Sequence, residues 1–301
     1  MKSHFPTLGI GKLCGLFGKT RQAFYDHLWR NSDDRLEEAL IVDQVKRIRA
    51  RIPGIGGLPL HRMLKDDLLL HDISLGRDRF YDLLRKHNLL IKKKRRYVTT
   101  TDSNHFFYKW PDLRRDLKVK AIERLWVSDI TYLRTEGGFV YLSLITDAHS
   151  RKIMGYHVSQ RLKAQGCMIT LNKAISCLSV EKEDRNLIHH SDHGIQYCCD
   201  AYVHTLQQNN ILISMTHSGS PYENAIAERV NGILKHQLGL GRVFKNYGEA
   251  TDKVCQAIDA YNRLRPHMSI SHMTPEQAHK TEQILNRKWK PKKYPVKRFQ
   301  E

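Results

Sequence analysis

The sequence has no C-x-x-C pair. Its six cysteines (Cys14, Cys167, Cys177, Cys198, Cys199 and Cys255) are scattered through 301 residues. A structural zinc site needs thiols or imidazoles clustered at short spacing, so this pattern argues against one. It predicts buried, unpaired thiols in a reducing compartment. Long apolar runs are also missing: none approaches the roughly 18 residues that a membrane-spanning helix needs. Met1 to Phe5 carry no apolar stretch of the secretory kind, and no repeat at solenoid periods is visible. These absences predict a cytoplasmic protein, and a hydrophobic share of 41% suffices for globular cores.

Acidic residues are scarce relative to basic ones. There are 31 Asp+Glu against 50 Lys+Arg, a net charge of +19. The surplus is uneven: +12 over residues 1–120, +2 over 121–280 and +5 over 281–301. A near-neutral centre between basic flanks suits a catalytic body held on a polyanion. The densest run is Lys92-Lys93-Lys94-Arg95-Arg96. It reads as a nucleic-acid contact, and no amphipathic apolar face follows it to favour a membrane surface.

The first third reads as short helices. Residues 8–16 form one. Thr20 caps a second from Arg21 to Trp29, with Lys19, Arg21 and Gln22 near its start, where a recognition helix meets base edges. This pair resembles a helix-turn-helix over residues 1–31. A second helical DNA-binding domain follows over 32–96. Its first helix is capped by Asp33 or Asp34 and runs to about Arg51, and helices at Leu60–Leu69 and Arg77–His87 come next. Residues 97–120, polar and then aromatic, read as a linker.

At Leu125 the period changes. Leu125–Leu133 and Phe139–Thr146, joined by a turn at Gly137-Gly138, read as a hairpin, and Arg151–Val158 as a third strand. A helix at Ala164–Leu178, a strand at Asn186–Ser191, a helix at Asp200–Asn209, a strand at Leu212–Met215 and a helix at Ala225–Leu238 complete the order. That order is an α/β layer architecture: a mixed five-stranded sheet flanked by helices. Asp129 falls on the first strand, Asp192 at the carboxyl end of the fourth, and Glu228 on the helix after the fifth. Each alone could be a surface or capping acid. Converging, the three form an oxygen-ligand set for hard cations, Mg²⁺ or Mn²⁺. Two such ions, roughly 3.5–4 Å apart, suit phosphodiester chemistry. Asp147 reads instead as a turn cap or a partner of Arg151.

Three motifs carry a family resemblance: Trp126-Val127-Ser128-Asp129-Ile130-Thr131-Tyr132, His190-Ser191-Asp192-His193-Gly194-Ile195-Gln196-Tyr197, and Ser218-Gly219-Ser220-Pro221-Tyr222-Glu223-Asn224-Ala225 leading to Glu228. Asp192 and Glu228 enclose 35 residues. Tyr261-Asn262-Arg263-Leu264-Arg265-Pro266-His267 and Thr274-Pro275 extend the match. Residues 121–280 resemble the ribonuclease H-like integrase core of bacterial insertion-sequence transposases, relatives of retroviral integrases. The nearest likeness is to the OrfB-type DDE transposases of the insertion-sequence-three family, and residues 281–301 are a basic tail beyond it.

The resemblance implies that Asp129, Asp192 and Glu228 are the catalytic, metal-binding triad with two Mg²⁺ or Mn²⁺ ions. It implies that Lys235, seven residues after Glu228, touches terminal DNA. Asn224 and Asn231 contact DNA or brace the helix; His190 orients Asp192, approaches a phosphate or makes a structural hydrogen bond. The partners implied are double-stranded DNA at element ends and target, a homo-oligomer of at least two copies, and an upstream-frame protein. Glu223 stands where many relatives carry Asp and is a rival acid. The retroviral zinc-binding pattern and the upstream leucine-zipper portion are absent from the sequence. The function implied is binding of terminal inverted repeats, 3′-end cleavage and strand transfer in the bacterial nucleoid. The competing readings are a ribonuclease H-like nuclease, which cuts without joining, and a non-catalytic helix-turn-helix regulator.

Overall fold

The computed structural model describes residues 7, 9–91, 108–114, 117–179, 186–216 and 224–281. The chain divides into two compact units, Met1–Ala50 with Gly56–Leu90, and Arg51–Ile55 with Ile91–Glu301.

The first unit is all-helical: α1 (Ile10–Leu16), α2 (Arg21–Arg51), α3 (Gly57–Leu70) and α4 (Arg77–Lys86). Thr20 caps α2 as expected, its Oγ1 accepting from the Ala23 N–H at 3.1 Å. The break expected near Asp33 and Asp34 is not there. One helix of 31 residues runs from Arg21 to Arg51, so the boundary placed at 31/32 falls inside it. The stretch contains neither Gly nor Pro. Asp inside a helix costs only ~0.7 kcal/mol against Ala, too little to stop it; Pro53-Gly54 does. The core of this unit is Ile41 and Val45 of α2, Leu60, Leu64 and Leu68 of α3, and Phe80 and Leu84 of α4, all buried. Each set recurs at three- or four-residue spacing, which puts it on one helix face.

The second unit is built on β1 (Leu125–Thr135), β2 (Gly138–Asp147), β3 (Ile153–Ser159), β4 (Ile188–Ser191) and β5 (Leu212–Met215) in the order β3-β2-β1-β4-β5. The first three pair antiparallel, and β4 and β5 run parallel to β1. This is the ribonuclease H-like order. A sixth strand, β6 (Val243–Phe244), pairs with the end of β1. The expected count of five missed it because two residues carry no period.

Alternation along β1 divides its side chains between two layers. Trp126 packs with Leu171 of α5 (Ala164–Ile175), Tyr197 of α6 (Ile195–Cys198) and Tyr202 of α7 (Asp200–Gln208). Leu125 and Val127 pack instead with Ile188 and with Ala227 of α8 (Ala225–Gln237). Three cysteines, Cys14, Cys167 and Cys198, are buried as expected; Cys199 is half-buried, and Cys177 and Cys255 are exposed.

The Tyr261–His267 motif lies at the end of α9 (Tyr247–Arg263), and its Asn262 side chain both accepts from the Ile153 N–H (3.0 Å) and donates to the Ile153 carbonyl (3.1 Å). Asn262 thus pins α9 to β3. Thr274 and Gln277 form a reciprocal cap at the start of α10 (Pro275–Lys280). The segment Arg51–Ile55 lies against the end of α8: the Gly54 N–H donates to the Gln237 carbonyl at 2.8 Å, and Ile52 and Ile55 are fully buried.

Candidate active site

Sheet register brings the first two acids together. Trp126 pairs with His189 and Val127 with His190 in the parallel ladder of β1 and β4. Two residues further on stand Asp129, on β1, and Asp192, just past the end of β4. Neighbouring strands lie about 4.8 Å apart, so the two carboxyl groups are brought side by side where β4 ends. Asp192 is steadied by the Gly194 N–H, which donates to its Oδ1 at 3.0 Å. A Cβ at Gly194 would stand 3.1 Å from that oxygen and 3.2 Å from Gln196 Oε1. Glycine there leaves the carboxylate its position.

The third element is α8. Asn224, Glu228, Asn231 and Lys235 follow one another at four, three and four residues, which is one stripe of a helix. The stripe meets β1 at three places. Asn224 Nδ2 donates to the Ser128 carbonyl at 2.9 Å. Asn231 Nδ2 donates to Asp129 Oδ2 at 2.5 Å. Lys235 Nζ lies 4.8 Å from the centre of the Tyr132 ring. Both asparagines are more than nine-tenths buried, and the amide oxygen of each lacks a partner among the described residues.

The electrostatics follow from this packing. Burial raises Asp129 to about 7, with the Asp192 charge adding to the rise, the Asn231 hydrogen bond opposing it and Glu228 contributing least. Desolvation also raises Glu228. Burial lowers Lys235, and the charge of Asp129 opposes that shift. Asp129 therefore senses both other acids, Asp192 more strongly. Glu228 is exposed. Among the described residues no three His, Cys, Asp or Glu side chains stand close enough to form a ready-made metal-binding group. Asp129 and Asp192 are a pair, and Glu228 stands off from them. The chemistry of the donors, carboxylate and amide oxygens under uncompensated negative charge, fits a hard divalent cation.

Other expected residues find plain roles. Asp147 is fully buried, and its carboxylate accepts from the Glu123, His149 and Ser150 N–H groups and from Ser150 Oγ. It is a turn cap, and its backbone carbonyl accepts from the Arg151 N–H at 2.9 Å. His190 is buried and shares a hydrogen bond with Ser214 Oγ at 2.9 Å, which is the structural alternative. Lys19, Arg21 and Gln22 are exposed around the start of α2. Lys92, Lys93, Lys94, Arg95, Arg96 and Glu223 lie outside the described residues. The sequence reading gave no role to Gly194 or Tyr132. Gly194 was detectable as a glycine two residues past an acid; nothing in strand periodicity singles out Tyr132.

Comparison with known proteins agrees with this architecture. Two family models, both described as integrase core domain, match residues 121–221 and 209–275. The 31 kDa protein of insertion element IS600 from Shigella sonnei is 30% identical over 267 residues, 87% of this chain and 96% of that protein. The transposase for IS629, also from Shigella sonnei, is 31% identical over 56% of this chain and 55% of its own length. Transposase InsF for IS3A of Escherichia coli is 35% identical over 55% and 57%. This chain thus spans just over half the length of those two transposases. Among solved structures, the catalytic core of HTLV-2 integrase in complex with magnesium aligns with a TM-score of 0.42 and 18% identity over 53% of this chain and 97% of that one. A simian T-cell lymphotropic virus intasome chain aligns with a TM-score of 0.46 and 18% identity over 80% and 79%.

Strand order and family models define an integrase core domain. The chain belongs to the IS3-type insertion-sequence transposases, DDE-type polynucleotidyl transferases that act on DNA. Among the described residues no helix is long and apolar enough to cross a membrane.

Proposed function

We propose that this transposase hydrolyses a phosphodiester at the 3′ end of its element and directs the freed 3′-hydroxyl at a second phosphodiester, with Asp129, Asp192 and Glu228 as the reacting-site acids. The observation that carries the proposal is the parallel register of β1 and β4, whose last pair, Val127 with His190, stands two residues before Asp129 and Asp192, with Asn231 of α8 bonded to Asp129. The three acids would hold divalent cations, Mg²⁺ or Mn²⁺, two per site. Bound there, such cations supply Lewis acidity at the phosphate and a more acidic water.

The chain's own residues prepare the site. Asn231 orients the Asp129 carboxylate and favours its charged form. The Gly194 N–H orients the Asp192 carboxylate. Lys235 brings a cation to the DNA side of the pair. The N-terminal helices, through Lys19, Arg21 and Gln22, bind the terminal inverted repeats, and the Lys92–Arg96 run holds the phosphate backbone. Cutting and joining two ends together requires at least two copies on the DNA. An upstream-frame partner completes the assembly.

The test is incubation of the full chain with labelled duplex carrying the sequences that flank its gene, with Mg²⁺ or Mn²⁺, beside Glu228→Gln. The wild type nicks the 3′ end and yields joined strands, whereas the variant binds and loses at least 10³-fold in rate, about 4 kcal/mol of transition-state stabilisation. Cutting without joining would favour the nuclease reading. Binding with neither would withdraw the catalytic assignment from this polypeptide acting alone.

A further inference from the structure

The distal half of the β1–β2 hairpin carries an aromatic and basic face that the acid site does not use. Tyr132 pairs with Tyr141 and Arg134 with Phe139 across the antiparallel ladder. Residues directly opposite in such a ladder share a face, and so do next-but-one residues of one strand, so all four lie together. The Tyr132 and Phe139 rings meet edge-to-face with centroids 5.2 Å apart and planes at 81°. Phe139 is 49% exposed, and Arg134 is exposed beside it. Lys235 reaches over the Tyr132 ring from α8.

An exposed aromatic taken singly needs no explanation. Here two rings are held at a right angle, with one cation over the first and another paired across from the second. Aromatics interleaved with cations are the surface that single-stranded nucleic acid selects: rings stack on bases while cations meet phosphates. The face also lies close to the acids. Tyr132 is three residues past Asp129, about 10 Å along β1 and on its other face, and α8 bridges the two: its Asn231 meets Asp129 and its Lys235 lies over the Tyr132 ring. A base one or two nucleotides from the reacting phosphodiester would reach it once unpaired.

We propose that Tyr132 and Phe139, flanked by Arg134 and Lys235, form a shelf that stacks an unpaired nucleobase from the end of the DNA substrate. The shelf offsets part of the cost of opening the terminal base pairs, so that the 3′-end phosphodiester descends to the acids. This rests on the reading that Asp129 lies at the reacting phosphodiester. Phe139 is the receiving surface, Tyr132 braces it, and the cations hold the strand on either side.

The test is photocrosslinking of the full chain to terminal-sequence duplex bearing 5-iodo-deoxyuridine at the last three positions of either strand. It is read in EDTA so that no cleavage is needed. Crosslinked peptides containing Tyr132 or Phe139 are expected, with Phe139→Ala losing the crosslink and Phe139→Trp keeping it. With Mg²⁺, Phe139→Ala should cleave fully paired ends about tenfold more slowly while binding internal duplex as wild type does. Crosslinks confined to other peptides, or unchanged in Phe139→Ala, would overturn the shelf. Failure of wild type to cleave with either metal would overturn the acid-site reading, while the crosslink in EDTA would still decide the shelf. Melting curves of the variants check that this exposed position leaves the fold intact.

Discussion

Asp129 is a carboxyl group that β1 half-buries beside a second carboxyl group, and its proton is held up to about pH 7 by burial first and by Asp192 next. The ordinary value is 3.8, so between about pH 4 and pH 7 the folded chain keeps a proton that the unfolded chain has released. Where the folded state binds more protons, stability falls as pH rises. The contribution is therefore favourable below about pH 4, fades through that window, and is fully adverse above pH 7. Cation binding has the opposite dependence, because it requires the carboxylate. Thermal melts of the cation-free protein should show Tm falling from pH 5 to pH 8, and Asp129→Asn should flatten that fall. Added Mg²⁺ or Mn²⁺ should raise Tm more at pH 8 than at pH 5. A metal effect independent of pH would mean that Asp129 is no ligand. A mid-strand acid was visible in the sequence as an oddity. Its companion Asn231 was expected to contact DNA or brace the helix; that it donates to Asp129 was not legible, because which donor reaches which oxygen is settled by how α8 lies on β1.

The position of α8 depends on elements far from it in sequence. Its start is tied to β1 through Asn224, and its end is backed by Arg51–Ile55. A Cβ added to Gly54 would stand 2.3 Å from the His236 carbonyl oxygen and 2.7 Å from Gln237 Cα. Both are backbone atoms of the last turns of α8, so relief requires the helix or the strap to move. Gly54→Val should therefore cost about 1–3 kcal/mol as an overpacked contact, a fall in Tm of about 2–12 °C for a domain of this size. It should also lower cleavage, because Glu228, Asn231 and Lys235 ride on the same helix. Gly9→Ala, with open space around its Cβ, is the control and should melt as wild type does. Equal melting of Gly54→Val would show that the strap does not brace α8. The strap escaped the sequence reading because Pro-Gly signals only a chain break, not what packs against it. Strands β1 to β5 were legible, since alternation and the Gly137-Gly138 turn are local. The continuity of α2 was misjudged on two aspartates, whose modest helix cost loses to a run free of Gly and Pro.

Across the whole molecule the charge is divided by task. Residues 1–120 carry a net +12 and residues 281–301 a net +5, against +2 for the catalytic span 121–280. Lys and Arg neutralising phosphates release condensed counterions, so affinity falls with the logarithm of salt in proportion to the phosphates met. Six to ten such contacts would cost roughly 10³- to 10⁵-fold in affinity between 50 and 200 mM salt. The chemical step is different in kind. It depends on a few partly buried carboxylates, which salt screens far less than exposed charges. DNA binding by the full chain should therefore weaken steeply over that range, while the cleavage rate at saturating protein stays within about twofold. Filter binding across a salt series and single-turnover cleavage on the same samples measure the two quantities side by side. A flat binding curve would remove the electrostatic account of the basic flanks. A single-turnover rate falling in parallel with affinity would move those phosphate contacts into the step that presents the DNA end to Asp129 and Asp192.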